Sequence, residues 1–124
     1  MDERIKQALQ QDRTIDITTT GRKSGLPRRI EIWFHYLDGG LYITGLPGPR
    51  DWYANMVAHP EFTFHLKKSV QADLPARARP IVDEGERREI LSKLLPKLGR
   101  ASELETWVAD SPLVEVALGK VVGG

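Results

Sequence analysis

The chain has 124 residues, 40% of them hydrophobic and 28% charged, with no cysteine and with 18 basic against 17 acidic side chains for a net charge of +1. That length fits one domain over residues 1–124 and a core burying roughly two-thirds of the surface the unfolded chain exposes, while zero cysteines exclude disulfides, thiolate nucleophiles and zinc–thiolate sites. The balanced charge argues against a general nucleic-acid binder. No apolar run approaches the roughly 20 residues that span a bilayer and the N-terminus is charged, so a cytoplasmic protein without an integral membrane segment is expected.

Ile5, Ala8 and Leu9 fall at i, i+3 and i+4 among charged and amide side chains, which predicts a short amphipathic helix within residues 1–12 that acts as a lid or brace. From Thr14 the period changes to two, with Ile15, Ile17 and Thr19 on one face of a strand. Gly21-Arg22-Lys23-Ser24-Gly25 turns the chain. A second alternating run begins near Arg28, with Ile30, Ile32, Phe34 and Tyr36 on one face and Glu31, Trp33 and His35 on the other. Asp38-Gly39-Gly40 is a tight-turn signal, and Leu41 to Thr44 returns as a third strand of a meander.

Gly45 to Arg50 holds two glycines and two prolines and is a loop, after which Asp51 is the expected cap of a helix near 52–58 that Pro60 ends. Phe62, Phe64 and Leu66 form a fourth strand, and Val70, Ala72, Leu74, Ala76 and Ala78 a fifth, in which Pro75 implies an edge or a bulge. Asp83 and Glu86 make a capping-box pair for a helix near 84–98 striped by Ile90, Leu91, Leu94, Leu95 and Leu98, while Arg87-Arg88 reads as its solvated face. A broken helical stretch leads through Trp107 to a last strand, Leu113 to Leu118. The short turns favour antiparallel pairing. About six strands with peripheral helices over residues 14–118 give a mainly β (α+β) chain folded as a small antiparallel barrel.

Two segments carry chemistry. Arg22, Lys23, Arg28 and Arg29 cluster without an acid around Ser24 and two glycines, which reads either as a solvated hairpin tip or as a cradle for a phosphate. Gly45 to Asn55 places a bare backbone beside Arg50, Trp52 and Tyr53, which reads either as a wall for an anion or planar ring or as ordinary core aromatics. Trp33, on the polar face of its strand, either stacks on a bound ring or is covered by a helix or a second subunit. His35, His59 and His65 lack the spacing of metal ligands, so no metal site is expected, and no serine-hydrolase, P-loop or dinucleotide motif occurs.

The ordered combination of Thr18-Thr19-Thr20-Gly21-Arg22-Lys23-Ser24-Gly25-Leu26-Pro27-Arg28, a strand bearing Trp33, a Gly/Pro loop ending at Arg50, Trp52-Tyr53-x-Asn55 and His59-Pro60-Glu61 resembles the deazaflavin-dependent nitroreductase family. That family belongs to the split β-barrel flavin and deazaflavin oxidoreductases, akin to pyridoxamine phosphate oxidase. The resemblance implies a split β-barrel, coenzyme F420 as cofactor with FMN as the alternative, and a small-molecule electron acceptor such as a quinone, nitro compound or enone. Arg22, Lys23, Ser24 and Arg28 match the family's phosphate-binding segment; Ile32, Trp33, Thr44 and Gly45 would line the tricyclic ring; Arg50, Trp52 and Asn55 would close over the ribityl tail. The fold also implies a homodimer. A non-catalytic carrier of a cofactor, haem or lipid is the alternative function.

The chain departs from the family pattern in one respect. Its residues 99–107 contain no tyrosine where relatives carry a tyrosine-rich wall over the substrate. Trp107 is the expected replacement for part of that wall, and the proton donor is left among Tyr53, Tyr36, His35 and water.

Overall fold

A computed structural model describes residues 2–119. Helix α1 (Glu3–Gln11) starts where the Asp2 carboxylate accepts the Arg4 amide at 2.7 Å, and it turns Ala8 and Leu9 onto the barrel. Strands β1 (Thr14–Thr20), β2 (Pro27–Trp33), β3 (His35–Leu37), β4 (Gly40–Thr44), β5 (Glu61–Leu66), β6 (Ala72–Pro80) and β7 (Leu113–Leu118) form one antiparallel sheet in the order β2-β1-β5-β6-β7-β4-β3. Alternation sets its two faces. Ile15, Ile17 and Phe64 point inward with Leu74, Ile43 and Val114, and the sheet curls around them.

The run expected as one strand over residues 28–36 is two strands, so the sheet has seven strands rather than six. The chain breaks at Phe34, whose amide still bonds the Arg13 carbonyl at 2.9 Å, one rung beyond the Thr14–Trp33 pair, after which the partner strand changes from β1 to β4. Its ring enters the core edge-to-face on Phe64, with centroids 5.2 Å apart. The first strands still pair in the order of a meander, but the two halves of the middle strand occupy opposite rims of the sheet. The barrel is therefore closed by chain continuity through one residue. At those rims Ile30 and Tyr36 share the inward faces yet stay exposed, because the sheet is split there.

The β3–β4 turn follows the sequence. Asp38 and Gly39 both adopt positive φ, 50° and 83°, as a two-residue hairpin loop with the right twist requires. Pro75 does not mark an edge or a bulge: β6 is interior, between β5 and β7. The Pro75 carbonyl turns away from β5 and accepts the Gly119 amide at 2.7 Å, and since N and O of one strand residue point the same way, its missing N–H falls at the end of the β7 pairing.

Helix α2 (Asp51–Ala58) plugs one end of the barrel with Trp52, Asn55 and Met56, at i, i+3 and i+4. Arg50, not Asp51, occupies its cap position, and no side chain caps it. Helix α3 (Glu84–Leu94) begins with the Asp83 carboxylate accepting the Glu86 amide at 2.9 Å. The Glu86 carboxylate does not complete a capping box; it pairs with Arg79. Two 3-10 turns, Leu95–Leu98 and Ala101–Glu103, then lead to α4 (Leu104–Asp110). This helical layer makes a second core on the outer face of the sheet, with Ile90, Leu91, Leu95 and Trp107 against Leu37 and Leu113. Among the described residues no helix is long and apolar enough to cross a membrane.

Candidate functional site

The turn between β1 and β2 is locked by its own backbone. The Gly21 amide donates to the Leu26 carbonyl and the Gly25 amide to the Gly21 carbonyl, both at 2.8 Å, while Ser24 Oγ accepts the Leu26 amide at 3.1 Å. A Cβ on Gly21 would stand 2.5 Å from Ser24 Oγ and 3.3 Å from the Leu26 carbonyl, so position 21 admits only glycine without displacement. The consequence is a fixed tip. Arg22, Lys23 and Ser24 project from it, and the amides of Lys23 and Ser24 have no partner among the described residues.

Helix α2 holds this tip from the side. Asn55, 5% exposed, accepts the Arg22 amide at 3.0 Å and the Arg22 Nη1 at 3.3 Å through one Oδ1, and its Nδ2 donates to Thr19 Oγ1 at 3.3 Å. The Asp51 carboxylate, expected as a cap, stands 3.5 Å from Arg22 Nη1 instead. Between tip and helix lies a cavity of about 430 Å³. Arg22, Lys23, Ser24 and Arg28 make its polar wall, Ile30 and Trp52 its apolar wall, and Asn55 and Asp51 its α2 side. Six of the residues singled out in the sequence, Arg22, Lys23, Ser24, Arg28, Trp52 and Asn55, thus meet in one place.

The others lie elsewhere. Ile32 shares the inward face of β2 with Ile30 but does not line the cavity, and Trp33 is on the opposite face, 53% exposed. The Thr44 hydroxyl is buried and donates to the Pro112 carbonyl at 2.5 Å, with Gly45 beside it against Pro112 and Arg50. Arg50 donates to the Pro49 carbonyl at 2.8 Å and lines a neighbouring cavity of about 670 Å³, together with Tyr53 and the loop Pro47 to Pro49. That cavity is larger, but the cations converge on the smaller one.

The three candidate proton donors are separated. Tyr53 faces the larger cavity, and Tyr36 opens onto a crevice beneath α1 with Lys6 and Leu9. His35 sits between the sheet and the helical layer. Burial, then the positive charges of Arg13 and Lys97, pull its pKa down from 6.5 to about 4, so its ring is neutral near pH 7.

Two polar constructions go beyond the sequence reading. Arg87 is not solvated: it is 8% exposed and donates to the carbonyls of Val108, Ile81, Trp107 and Ser111 at 2.6–3.0 Å. Its guanidinium neutralises the carbonyl end of α4 and ties α3 to α4 and to the segment that follows β6. The helical period carries the signal, since Arg87 precedes Ile90, Leu91 and Leu94 by three, four and seven residues. On the outer face of the sheet, Thr18 Oγ1 meets His65 Nε2 and Asp73 Oδ1 meets His65 Nδ1, both at 2.7 Å. That chain has the connectivity of a hydrolase triad, but Thr18 lies mid-ladder between β2 and β5, where the neighbouring strand amides bond one another and are not free to cradle an oxyanion. His65 is a satisfied histidine.

Over residues 2–120 the chain matches the F420H(2)-dependent quinone reductase family. Among solved structures it resembles a Listeria innocua protein assigned as a pyridoxamine 5'-phosphate oxidase, with 12% identity, TM-score 0.70 and 95% of this chain and 93% of that one covered. An F420 reductase gives 18% identity, TM-score 0.65 and 93% coverage of both chains. An F420-H2 dependent reductase gives 22% identity, TM-score 0.62 and coverage of 86% and 95%. These structural likenesses carry the split-barrel fold.

Proposed function

The chain belongs to the F420H(2)-dependent quinone reductase family, and from that premise we propose that it passes a hydride from reduced F420 to a small planar electrophile, a quinone before a nitro compound or an enone. As a member of that family it is an oxidoreductase of coenzyme F420. The observation that carries the assignment of the site is the convergence of Arg22, Lys23, Ser24 and Arg28 on one cavity that also has an apolar wall, Ile30 and Trp52.

This donor set fits a phosphate-bearing cofactor. Guanidinium forks, an ammonium and a hydroxyl bind phosphate oxygens by charge-assisted hydrogen bonds, and the free amides of Lys23 and Ser24 add neutral donors at the same tip. Gly21 supports the fit, because a side chain there would push Ser24 out of place. Ile30 and Trp52 offer apolar surface to a ring. When bound, the reduced deazaflavin supplies the hydride, so the chain need only bind, orient and exclude water.

Tyr53 is the donor this reading favours for the proton that follows. It lies on α2 next to Trp52, whose ring it meets edge-on at 6.0 Å, whereas His35 holds no proton to give from an imidazolium near pH 7. A cytoplasmic homodimer completes the proposal. The outer face of the edge strand β2, with Trp33 exposed, is the surface a second copy would cover, and light scattering on the purified protein tests it.

Fluorescence titration with F420 and with FMN tests the cofactor site, and saturable F420 binding is expected. Anaerobic mixing of the F420H2-loaded protein with menadione tests the reaction. Cofactor reoxidation no faster than without protein would return the chain to the class of carriers.

A further inference from the structure

The cationic cavity contains one acid. Arg22, Lys23 and Arg28 line it, and Asp51, the first residue of α2, is the single carboxylate among the described residues that do. Its side chain is 93% exposed and makes no capping bond to α2; its nearest charged neighbour is Arg22 Nη1, at 3.5 Å. Asn55 grips the same nitrogen at 3.3 Å and the Arg22 backbone at 3.0 Å. Asn55 therefore holds the guanidinium on the Asp51 side of the cavity, and an anion drawn to Arg22 comes within a few ångströms of the Asp51 carboxylate.

We propose that Asp51 selects the charge of the phosphate this cavity accepts, favouring a singly charged phosphodiester over a doubly charged phosphomonoester. The inference rests on the phosphate reading given above. Attraction to three cations serves either ligand, but repulsion by Asp51 grows with each added charge. A phosphomonoester loses its second proton with a pKa of about 6 and so approaches two charges near neutral pH. A phosphodiester has no second proton to lose. F420 carries its phosphate as a diester inside its tail, whereas FMN ends in a monoester, so Asp51 discriminates between the two cofactors. For a carboxylate this exposed, one extra charge roughly 6 Å away changes affinity by about three- to tenfold, and added salt weakens the effect.

The test is fluorescence titration of the full chain and its Asp51→Asn variant with F420 and with FMN, near neutral pH and at low ionic strength. Each cofactor is compared with itself, so its other groups cancel. Asp51→Asn is expected to tighten FMN about three- to tenfold more than F420, Asp51→Glu to keep the selectivity of the parent chain, and high salt to erase the difference. A thermal melt confirms that the variants fold, which the exposure of Asp51 favours. If both cofactors bind but the substitution moves their affinities by the same factor, or moves neither, charge selection is wrong and the phosphate site stands. If the parent chain binds neither cofactor, both readings fall together.

Discussion

Asn55 Oδ1 accepts two hydrogen bonds from one residue, the Arg22 amide at 3.0 Å and the Arg22 guanidinium at 3.3 Å. Since Nδ2 also bonds Thr19, Asn55 acts on the site by fixing Arg22. Asn55→Ala leaves the Arg22 amide and the Thr19 hydroxyl without these partners at a largely buried position, a loss of about 1–3 kcal/mol. It should lower the melting temperature by several degrees and weaken F420 binding by about tenfold. An unaltered dissociation constant would mean that the hairpin tip holds its shape without α2.

Arg22→Ala with Lys23→Ala removes two of the three cations lining the cavity. Each charge-assisted contact is worth roughly 1.5–3 kcal/mol, so F420 affinity should fall by about 10²-fold or more. Arg22 is 37% exposed at its side chain, and stability should change little. Equal affinities of parent and double variant in the titration would remove the phosphate from this cavity.

Arg87 gives a contrasting case. Its four carbonyl partners are buried, and no carboxylate among the described residues pairs with it. Arg87→Met keeps much of the volume but strands those carbonyls, and urea unfolding should register a loss of about 3 kcal/mol or more. Arg88→Met, one residue on and exposed in its pairing with Glu105 and Glu84, should cost less than about 1 kcal/mol.

His35 predicts a pH dependence. Its folded pKa of about 4 lies below the usual 6.5, so unfolding takes up a proton between those values. The unfolded state binds more protons there, and stability therefore falls as the solution is acidified through this window. Between pH 7 and pH 5 the parent chain should lose about 2 kcal/mol more than His35→Gln, a comparison that isolates His35 from the other histidines. Parallel unfolding curves for the two proteins across that range would show that the imidazole is hydrated rather than buried.

Local periodicity carried much of this molecule into view from its sequence. Ile15, Ile17 and Thr19 alternate as β1 does, Asp83 caps α3, and Arg22 to Arg28 with Trp52 and Asn55 meet where the family resemblance groups them. What stayed hidden depends on contacts between distant segments. Nothing local distinguishes a continuous strand from one broken at Phe34, because the break is set by the change of partner from β1 to β4 and by the Phe64 ring. Asp51 looks like a cap until Arg22, 29 positions earlier, is seen beside it. Arg87 was masked by its charge, although its helical spacing placed it on the buried stripe. Trp33 and Thr44, assigned to the ring by resemblance, turn away from the cavity because a strand side chain has only two directions available.

The single residue joining β2 to β3 makes Phe34 the clasp of a bracelet. Hydrogen bonds hold every other neighbouring pair of strands, whereas here a covalent link and one buried ring bring the two ends together. Lengthening the chain at that point by a few glycines would leave all six ladders able to form yet let the ends drift apart, widening the mouth beside Ile30 without unravelling the weave.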